Sequence, residues 1–249
     1  MNPGDQSLFN LDRRGFLSIA ALGAATIALA TDSPVPAEAA GWPAGCITTL
    51  PPSKTRRLAW TVDDGSSTST LSSYLKLLER NDDLKMTMFV LSCSTAWKTH
   101  EKRIRALIQS GQIQMANHTR DHKNLNRCSN KEVAKQLIAC DKFIKDTYEV
   151  DPAGYWRPPY GSLSTRVMKI AADNGFDRPM LWDGSTGSSF TSKTSTVWKN
   201  AQRYMTNGRI VLDHANGKST VNNFDRIMRM LKSRDLATVT LSEAFEKKF

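Results

Sequence analysis

Apolar and β-branched residues recur along the chain in short runs, and between the runs lie longer segments whose apolar positions repeat at helical spacing. The runs 58–63, 86–91, 113–117, 154–157, 180–183, 210–212 and 237–240 predict strands. The periodic segments 70–80, 101–110, 130–148, 165–174, 197–205, 221–234 and 243–248 predict helices. Ser164 and Ser242 stand where N-caps belong, and Gly111, Gly175 and Gly208 stand where chains leave helices. Ser129 followed by Glu132 reads as a capping box, with Val133, Leu137, Cys140 and Ile144 on one face of the helix it starts. Regular βα alternation without a long structureless insert argues for parallel strands wrapped by helices, either as a barrel or as a doubly wound sheet. No glycine-rich dinucleotide fingerprint follows the first strand, which favours the barrel. In a barrel, functional groups gather where strands end and loops begin.

The ends of the predicted strands carry the chain's most reactive side chains. The first closes on Asp63-Asp64-Gly65, the third on His118-Thr119-Arg120-Asp121-His122, and the fourth on Arg157-Pro158-Pro159-Tyr160-Gly161. The fifth ends in Trp182-Asp183 and the sixth runs into Asp213-His214. Three of the four histidines sit at these tips, and His100, ahead of a helix, reads as a surface group. Adjacent side chains on a strand point to opposite faces, so Asp63 and Asp64 take different roles: one can hold a metal while the other takes a proton. Alone, Asp-Asp-Gly is ordinary turn chemistry. His118 and His122, four residues apart, can aim both imidazoles at one point. With a carboxylate from Asp64 they make a two-histidine, one-carboxylate set that leaves coordination positions open for water and substrate. Trp182 and Tyr160 fit either a sugar-stacking groove or the core, and Arg157 alone would read as a structural salt bridge.

Thr61-Val62-Asp63-Asp64-Gly65, His118-Thr119-Arg120-Asp121-His122, Arg157-Pro158-Pro159-Tyr160-Gly161 and Leu212-Asp213-His214, in this order, resemble four of the five motifs of the polysaccharide deacetylase family, the NodB-homology group or carbohydrate esterase family four. The resemblance runs over about residues 58–241. It implies an α/β fold, a distorted (β/α)7 barrel of the NodB-homology type, that removes acetyl groups from N-acetylated sugars with a divalent metal. Zinc is the usual ion, with cobalt, manganese and nickel as alternatives. By this resemblance Asp64, His118 and His122 are the metal ligands and Asp63 is the general base. Arg157 orients Asp63, the Tyr160 backbone N–H serves the oxyanion, and His214 protonates the leaving amine. Tyr160, Trp182 and Asp183 are the expected substrate-binding residues.

Two departures stand out. The family usually carries Phe where Val62 stands, a packing change. It usually has an Asp-Trp pair after the fifth strand, whose carboxylate tethers the catalytic histidine. Here Gly187-Ser188-Ser189-Phe190 fills that region, which leaves Asp183 or Asp213 as substitutes. Asp213 itself stands where a leucine is usual.

At 249 residues, 40% hydrophobic and 23% charged, the chain suits one large domain. The N-terminus differs: Arg13-Arg14 precedes a mildly apolar run over 18–30 and then Ala37-Glu38-Ala39, which resembles a twin-arginine export signal. That run is too short and alanine-rich for a permanent anchor. The expected organisation is therefore a signal over 1–39, a proline-rich lead-in over 40–57 and a catalytic domain over 58–249. Contact with a membrane would occur only transiently, during export. The expected location is secreted, periplasmic or cell-wall associated, and the expected state a monomer.

The whole chain has a formal charge of +10, and cleavage after Ala39 removes two arginines and four acids, net −2, leaving +12. Such charge favours anionic polymers such as cell wall. No basic reading helix, zinc-finger pattern or stacking motif supports nucleic acid as a partner. Four cysteines in an exported chain predict two disulfides. With about 1.5 Å of rise per helical residue, Cys140 is out of reach of Cys128, and Cys93–Cys128 with Cys46–Cys140 is the favoured pairing. The leading functional reading is an exported, metal-dependent N-deacetylase of peptidoglycan or a chitin-like glycan. An O-deacetylase of acetylated xylan and a non-catalytic glycan-binding barrel are the rivals. A mononuclear iron oxygenase is disfavoured, because those sites sit on β-sandwiches.

Overall fold

The computed structural model describes residues 45–245. Eight parallel strands form one curled sheet: β1 (Arg57–Asp64), β2 (Met86–Val90), β3 (Ile113–Asn117), β4 (Tyr155–Trp156), β5 (Arg178–Pro179), β6 (Gly184–Ser185), β7 (Ile210–His214) and β8 (Ala237–Thr238). Their order is β5-β4-β3-β2-β1-β7-β6, with β8 added to the first residues of β1. The α-helices are α1 (Thr68–Glu79), α2 (Ala96–Thr99), α3 (Glu101–Gln109), α4 (Asn130–Tyr148), α5 (Thr165–Ala172), α6 (Thr194–Tyr204), α7 (Lys218–Val221), α8 (Phe224–Ser233) and α9 (Leu241–Phe245). Strand–helix alternation and parallel pairing bear out the expected α/β class and distorted (β/α) barrel, with two differences: the sheet is curled and open between β5 and β6, and the described residues form eight strands where seven were expected, because the fifth predicted run gives way to the short β5 and β6 on either side of it.

The period-2 alternation of β1 divides the interior into two layers. Leu58, Trp60 and Val62 pack toward the helices, in one cluster with Leu71, Leu75, Met86, Met88, Val90 and Ile227. Ala59 faces the barrel interior with Phe89, Ala116, Tyr155, Met180 and Ile210. By the same parity Thr61 and Asp63 face the interior, and on β7 Leu212 and His214 follow Ile210 inward while Asp213 points to the helices. Register aligns Asp63 with His214 and Asp64 with Val90, so both acids and the histidine lie at the C-terminal ends of their strands.

Several local expectations are corrected. The run 180–183 is no strand of its own but the link between β5 and β6, and β4 is two residues long. Residues 221–234 divide into α7 and α8. Ser242 lies inside α9 rather than capping it; Thr240 Oγ1 accepts from the Glu243 N–H at 3.1 Å and does that work. Ser129 and Ser164 cap as expected, accepting from the N–H groups of Glu132 and Val167. The lead-in is strapped to the barrel, Ile47 bridging to Met180 and Thr49 to Arg209.

All four cysteines are free thiols, so neither expected disulfide is formed. Cys140 is buried in the helix-side layer and its Sγ donates to the Val90 carbonyl at 3.1 Å, while Cys46 adjoins Ile47, which packs on the interior side of the sheet. Cys128 packs against the Leu125–Leu137–Phe176 cluster and donates to the Asn124 carbonyl at 3.5 Å. The expected signal over 1–39 and the last three residues of the expected helix 243–248 lie outside the described residues. Among the described residues no helix is long and apolar enough to cross a membrane.

Candidate active site

At the end of β1 the backbone turns left-handed at Asp64 (φ 70°) and Gly65 (φ 66°), closing a tight turn in which the Gly65 N–H reaches the Asp63 carbonyl at 2.9 Å. Parity alone would send Asp64 to the helix side; the positive φ re-aims its carboxylate. The turn is pinned from three directions. Trp97 Nε1 donates to the Asp64 carbonyl at 2.9 Å, Asn216 Nδ2 donates to Asp64 Oδ2 at 2.5 Å, and Asn216 Oδ1 accepts from the Ser66 N–H.

With Oδ2 held by Asn216, Asp64 Oδ1 is buried and has no hydrogen-bond partner. It lies 3.3 Å from His118 Nε2 and 3.4 Å from His122 Nε2. These three groups offer ligand atoms within 4.8 Å of one another. His118 Nδ1 lies 2.9 Å from the Arg157 carbonyl, which can only accept, so Nδ1 carries the proton and Nε2 presents its lone pair. An orphaned carboxylate oxygen facing two ring nitrogens, one of them with its tautomer set from behind, is a donor set that fits a divalent cation.

The loop that delivers both imidazoles is strained at two non-glycine positions, Thr119 (φ 71°) and His122 (φ 55°). Side chains hold it there. Asn117 accepts from the Thr119 N–H and donates to the Leu137 carbonyl, and Gln136 accepts from the Asp121 N–H while donating to the Asp121 carboxylate. Burial alone would raise the Asp64 carboxyl, but the neighbouring imidazoles, His118 first and then His214 and His122, hold it well below the usual carboxylate range. Burial disfavours the charged form of His118, yet Asp63 and Asp64 raise its pKa; His122 is lowered by burial and by His118.

Arg157 is fully buried and reaches across the barrel interior. Its Nη1 donates to Asp63 Oδ1 at 2.7 Å and to Thr61 Oγ1 at 2.9 Å, its Nη2 to the Leu181 carbonyl and its Nε to the Met180 carbonyl. The Phe89 ring lies 4.0 Å beneath the guanidinium. Tyr160 follows at φ 62°, 70% exposed, with its ring 4.6 Å from that of His122. Trp182 lies under the same turn: a Cβ added at Gly161 would stand 2.9 Å from its ring.

Asp63, Asp64, His118, His122, Arg157, Tyr160 and His214 are thus gathered at one end of the barrel, with Trp182 beside them. Asp183 is not with them. Its Oδ1 accepts from the N–H of Ile210, at the opposite end of β7 from His214, so it neither faces the site nor tethers the histidine. Two residues to which the sequence reading gave no role do reach the site: Asn216, which fixes Asp64, and Ser188, whose Oγ accepts the His214 backbone N–H at 2.9 Å. The sequence signal for Ser188 was its place in the segment that fills the position of the usual Asp-Trp pair, and for Asn216 its nearness to the Leu212-Asp213-His214 motif.

Comparison with known proteins bears on the family and the fold. Residues 51–179 match the polysaccharide deacetylase family. The peptidoglycan-N-acetylglucosamine deacetylase of Listeria monocytogenes is 31% identical over 205 residues, covering 80% of this chain and 41% of that protein. Chitin deacetylase 1 of Cryptococcus neoformans is 32% identical over 168 residues, covering 67% of this chain and 32% of that protein. The chain thus spans well under half the length of these relatives. Among solved structures, the Xyl-CE4 domain of a multidomain xylanase from the hindgut metagenome of Trinervitermes trinervoides superposes with TM-score 0.68 at 26% identity, covering 78% of this chain and 92% of that one. A family-four pseudoenzyme from Bacillus anthracis shares the fold with TM-score 0.69 at 21% identity, covering 83% of this chain and 70% of that one.

Proposed function

Since the chain belongs to the polysaccharide deacetylase family, we propose that it is an exported, metal-dependent hydrolase that removes N-acetyl groups from an N-acetylglucosamine-containing polysaccharide, peptidoglycan or a chitin-like glycan. The observation that carries this reading is the convergence of Asp64, His118 and His122 on one point, beside the buried Asp63–Arg157 pair and on the strand neighbour of His214. We assign the catalytic domain to 58–249, with the lead-in over 40–57 and a twin-arginine signal over 1–39.

An amide resists hydrolysis because water is a poor nucleophile and nitrogen leaves badly unless protonated. Asp64, His118 and His122 would hold a divalent cation, which would supply Lewis acidity toward the acetyl carbonyl and toward water, whose pKa such an ion lowers to about 7. Two imidazoles and one carboxylate suit zinc first. Asp63, oriented by Arg157, takes the proton of the attacking water. The Tyr160 backbone N–H serves the oxyanion, where one such donor is worth about 100- to 1,000-fold in rate. His214 gives a proton to the sugar nitrogen as the C–N bond breaks, so that water and amide become acetate and free amine. Tyr160, exposed at the rim, and Trp182 beneath it offer faces on which a sugar ring can stack.

A second reading, an ester deacetylase acting on acetylated xylan, draws on the likeness to the Xyl-CE4 domain and to the bifunctional xylanase/deacetylase of Pseudobutyrivibrio xylanivorans, 28% identical over 200 residues. Metal analysis of the purified chain, coupled to acetate release from chitooligosaccharide, peptidoglycan and acetylxylan, decides between them. Release from the N-acetylated substrates, abolished in Asp63→Asn with metal retained, is the expected result. Release from xylan alone selects the ester reading. Glycan binding without any acetate release, indifferent to Asp63→Asn, selects a non-catalytic barrel.

A further inference from the structure

Asp213 and His214 are neighbours on β7 and so point to opposite faces of the sheet, Asp213 into the helix-side layer. There its carboxylate is fully buried and accepts five hydrogen bonds from neutral donors. Trp60 Nε1 (3.0 Å) and Tyr74 Oη (2.6 Å) donate to Oδ2; Thr186 Oγ1 (2.7 Å), Ser188 Oγ (2.5 Å) and Thr220 Oγ1 (2.8 Å) donate to Oδ1. A buried leucine at this position would need none of them. The loop after β6 brings Ser188 over the end of the sheet, so that its Oγ, 2.5 Å from Asp213, also lies 3.4 Å from His214 Nδ1.

Ser188 has one hydroxyl proton, and the short contact directs it at the Asp213 carboxylate. Toward the imidazole the same oxygen can then only accept. Nδ1 of His214 must therefore carry a hydrogen, and Nε2 is left as the nitrogen that takes up and delivers the proton of catalysis. We infer that Ser188 is a positioning residue that couples the buried Asp213 carboxylate to His214, holding the imidazole in its Nδ1–H form through an imidazole–hydroxyl–carboxylate chain rather than by a carboxylate in direct contact. This rests on the deacetylase reading for what His214 does, but not for how it is held.

The alternative is that Asp213 merely staples β7 to its surroundings, and two kinds of measurement on the full chain separate the possibilities. In metal-free protein labelled with 15N at the histidine ring nitrogens, and with His214→Gln identifying the signal, His214 is expected as the Nδ1–H tautomer. Ser188→Ala is expected to turn it into a mixture while leaving the far-ultraviolet circular dichroism unchanged. In metal-loaded protein, Ser188→Ala is expected to lower kcat on chitotetraose about 10-fold or more, with KM within about 2-fold. Hydrolysis of an aryl acetate, whose phenolate leaves without a proton, should change by less than about 2-fold, and Ser188→Thr should restore most of the lost amide turnover. Nδ1 found unprotonated in the unmodified chain, or wild-type kcat in Ser188→Ala, overturns the inference. Absence of acetate release from the unmodified chain overturns the deacetylase reading instead, and the tautomer measurement then decides the hydroxyl–carboxylate chain by itself.

Discussion

Arg157 Nη1 lies 2.7 Å from Asp63 Oδ1 in a part of the barrel where the arginine is sealed from solvent and the aspartate nearly so, and each supplies the counter-charge the other needs. A buried pair of this kind adds little over an apolar replacement of both members, but removing one partner strands the other's charge at a cost of about 3–5 kcal/mol. Arg157→Ala should therefore lose stability in that range. Arg157→Lys should lose part of it, because an ammonium cannot reach Asp63, Thr61 and the carbonyls of Met180 and Leu181 together. Urea unfolding checks both, and an Arg157→Ala midpoint equal to that of the unmodified chain would refute the account.

Asn216 holds Asp64 from behind, spending one carboxylate oxygen so that the other faces His118 and His122. Removing such a support leaves the ligands in place but lets the carboxylate rotate. Asn216→Ala should keep its thermal midpoint within a few degrees in the metal-free state and bind zinc about 10- to 100-fold more weakly. Competition with a chromophoric chelator measures this, and undiminished affinity would mean that the turn at Gly65 alone orients Asp64.

How far the sequence disclosed all this follows from how local each feature is. The alternation Leu58-Ala59-Trp60-Thr61-Val62-Asp63 contains its own answer about which residue faces which layer, and the spacing of His118 and His122 depends on a single turn. Both could be read without coordinates, as could the α/β class itself. Asn216 and Ser188 could not, because each acts on a residue far away in sequence through a loop whose path depends on the packing of β7 and β6. Asp183 misled for the converse reason. It follows an apolar run like the other tip residues, but that run is a link between two short strands, and the barrel's stagger puts it at the start of β7. The cysteines failed because export argues for disulfides in general, whereas a buried thiol that donates to a strand carbonyl, as Cys140 does, is satisfied without one.

Gly65 closes the turn that carries Asp64, and two independent facts penalise any other residue there. Its φ of 66° is strained for a side chain, and an added Cβ would stand 2.5 Å from the Trp97 ring whose Nε1 holds the Asp64 carbonyl. Backbone strain and overpacking each cost about 1–3 kcal/mol, so Gly65→Ala should be destabilised by about 2–6 kcal/mol. Because relief requires Trp97 to move, zinc affinity should fall as well. Calorimetry and metal titration of the same variant test this, and a loss of stability with full metal affinity would separate the turn from the site.

Asp183, displaced from the site, still leaves a mark on stability. Burial raises its carboxyl from 3.8 to about 6, only partly opposed by Arg209 and by the hydrogen bond from the Ile210 N–H. A carboxyl raised in the folded state binds its proton more tightly there than in the unfolded chain. Its contribution is therefore fully present below about pH 3.8 and is lost as pH rises through about 6, so that above pH 6 the charged group is a net cost. Its side chain is partly open to water, 16% exposed, which reduces that cost to about 1–2 kcal/mol. Asp183→Asn keeps an oxygen for the Ile210 N–H and carries no charge. Relative to the unmodified chain it should gain stability between pH 4 and 6 and hold the gain at higher pH. Thermal midpoints of the two proteins across pH 4–8 test this, and parallel curves would show that Arg209, 3.8 Å from the carboxylate, fully compensates its burial.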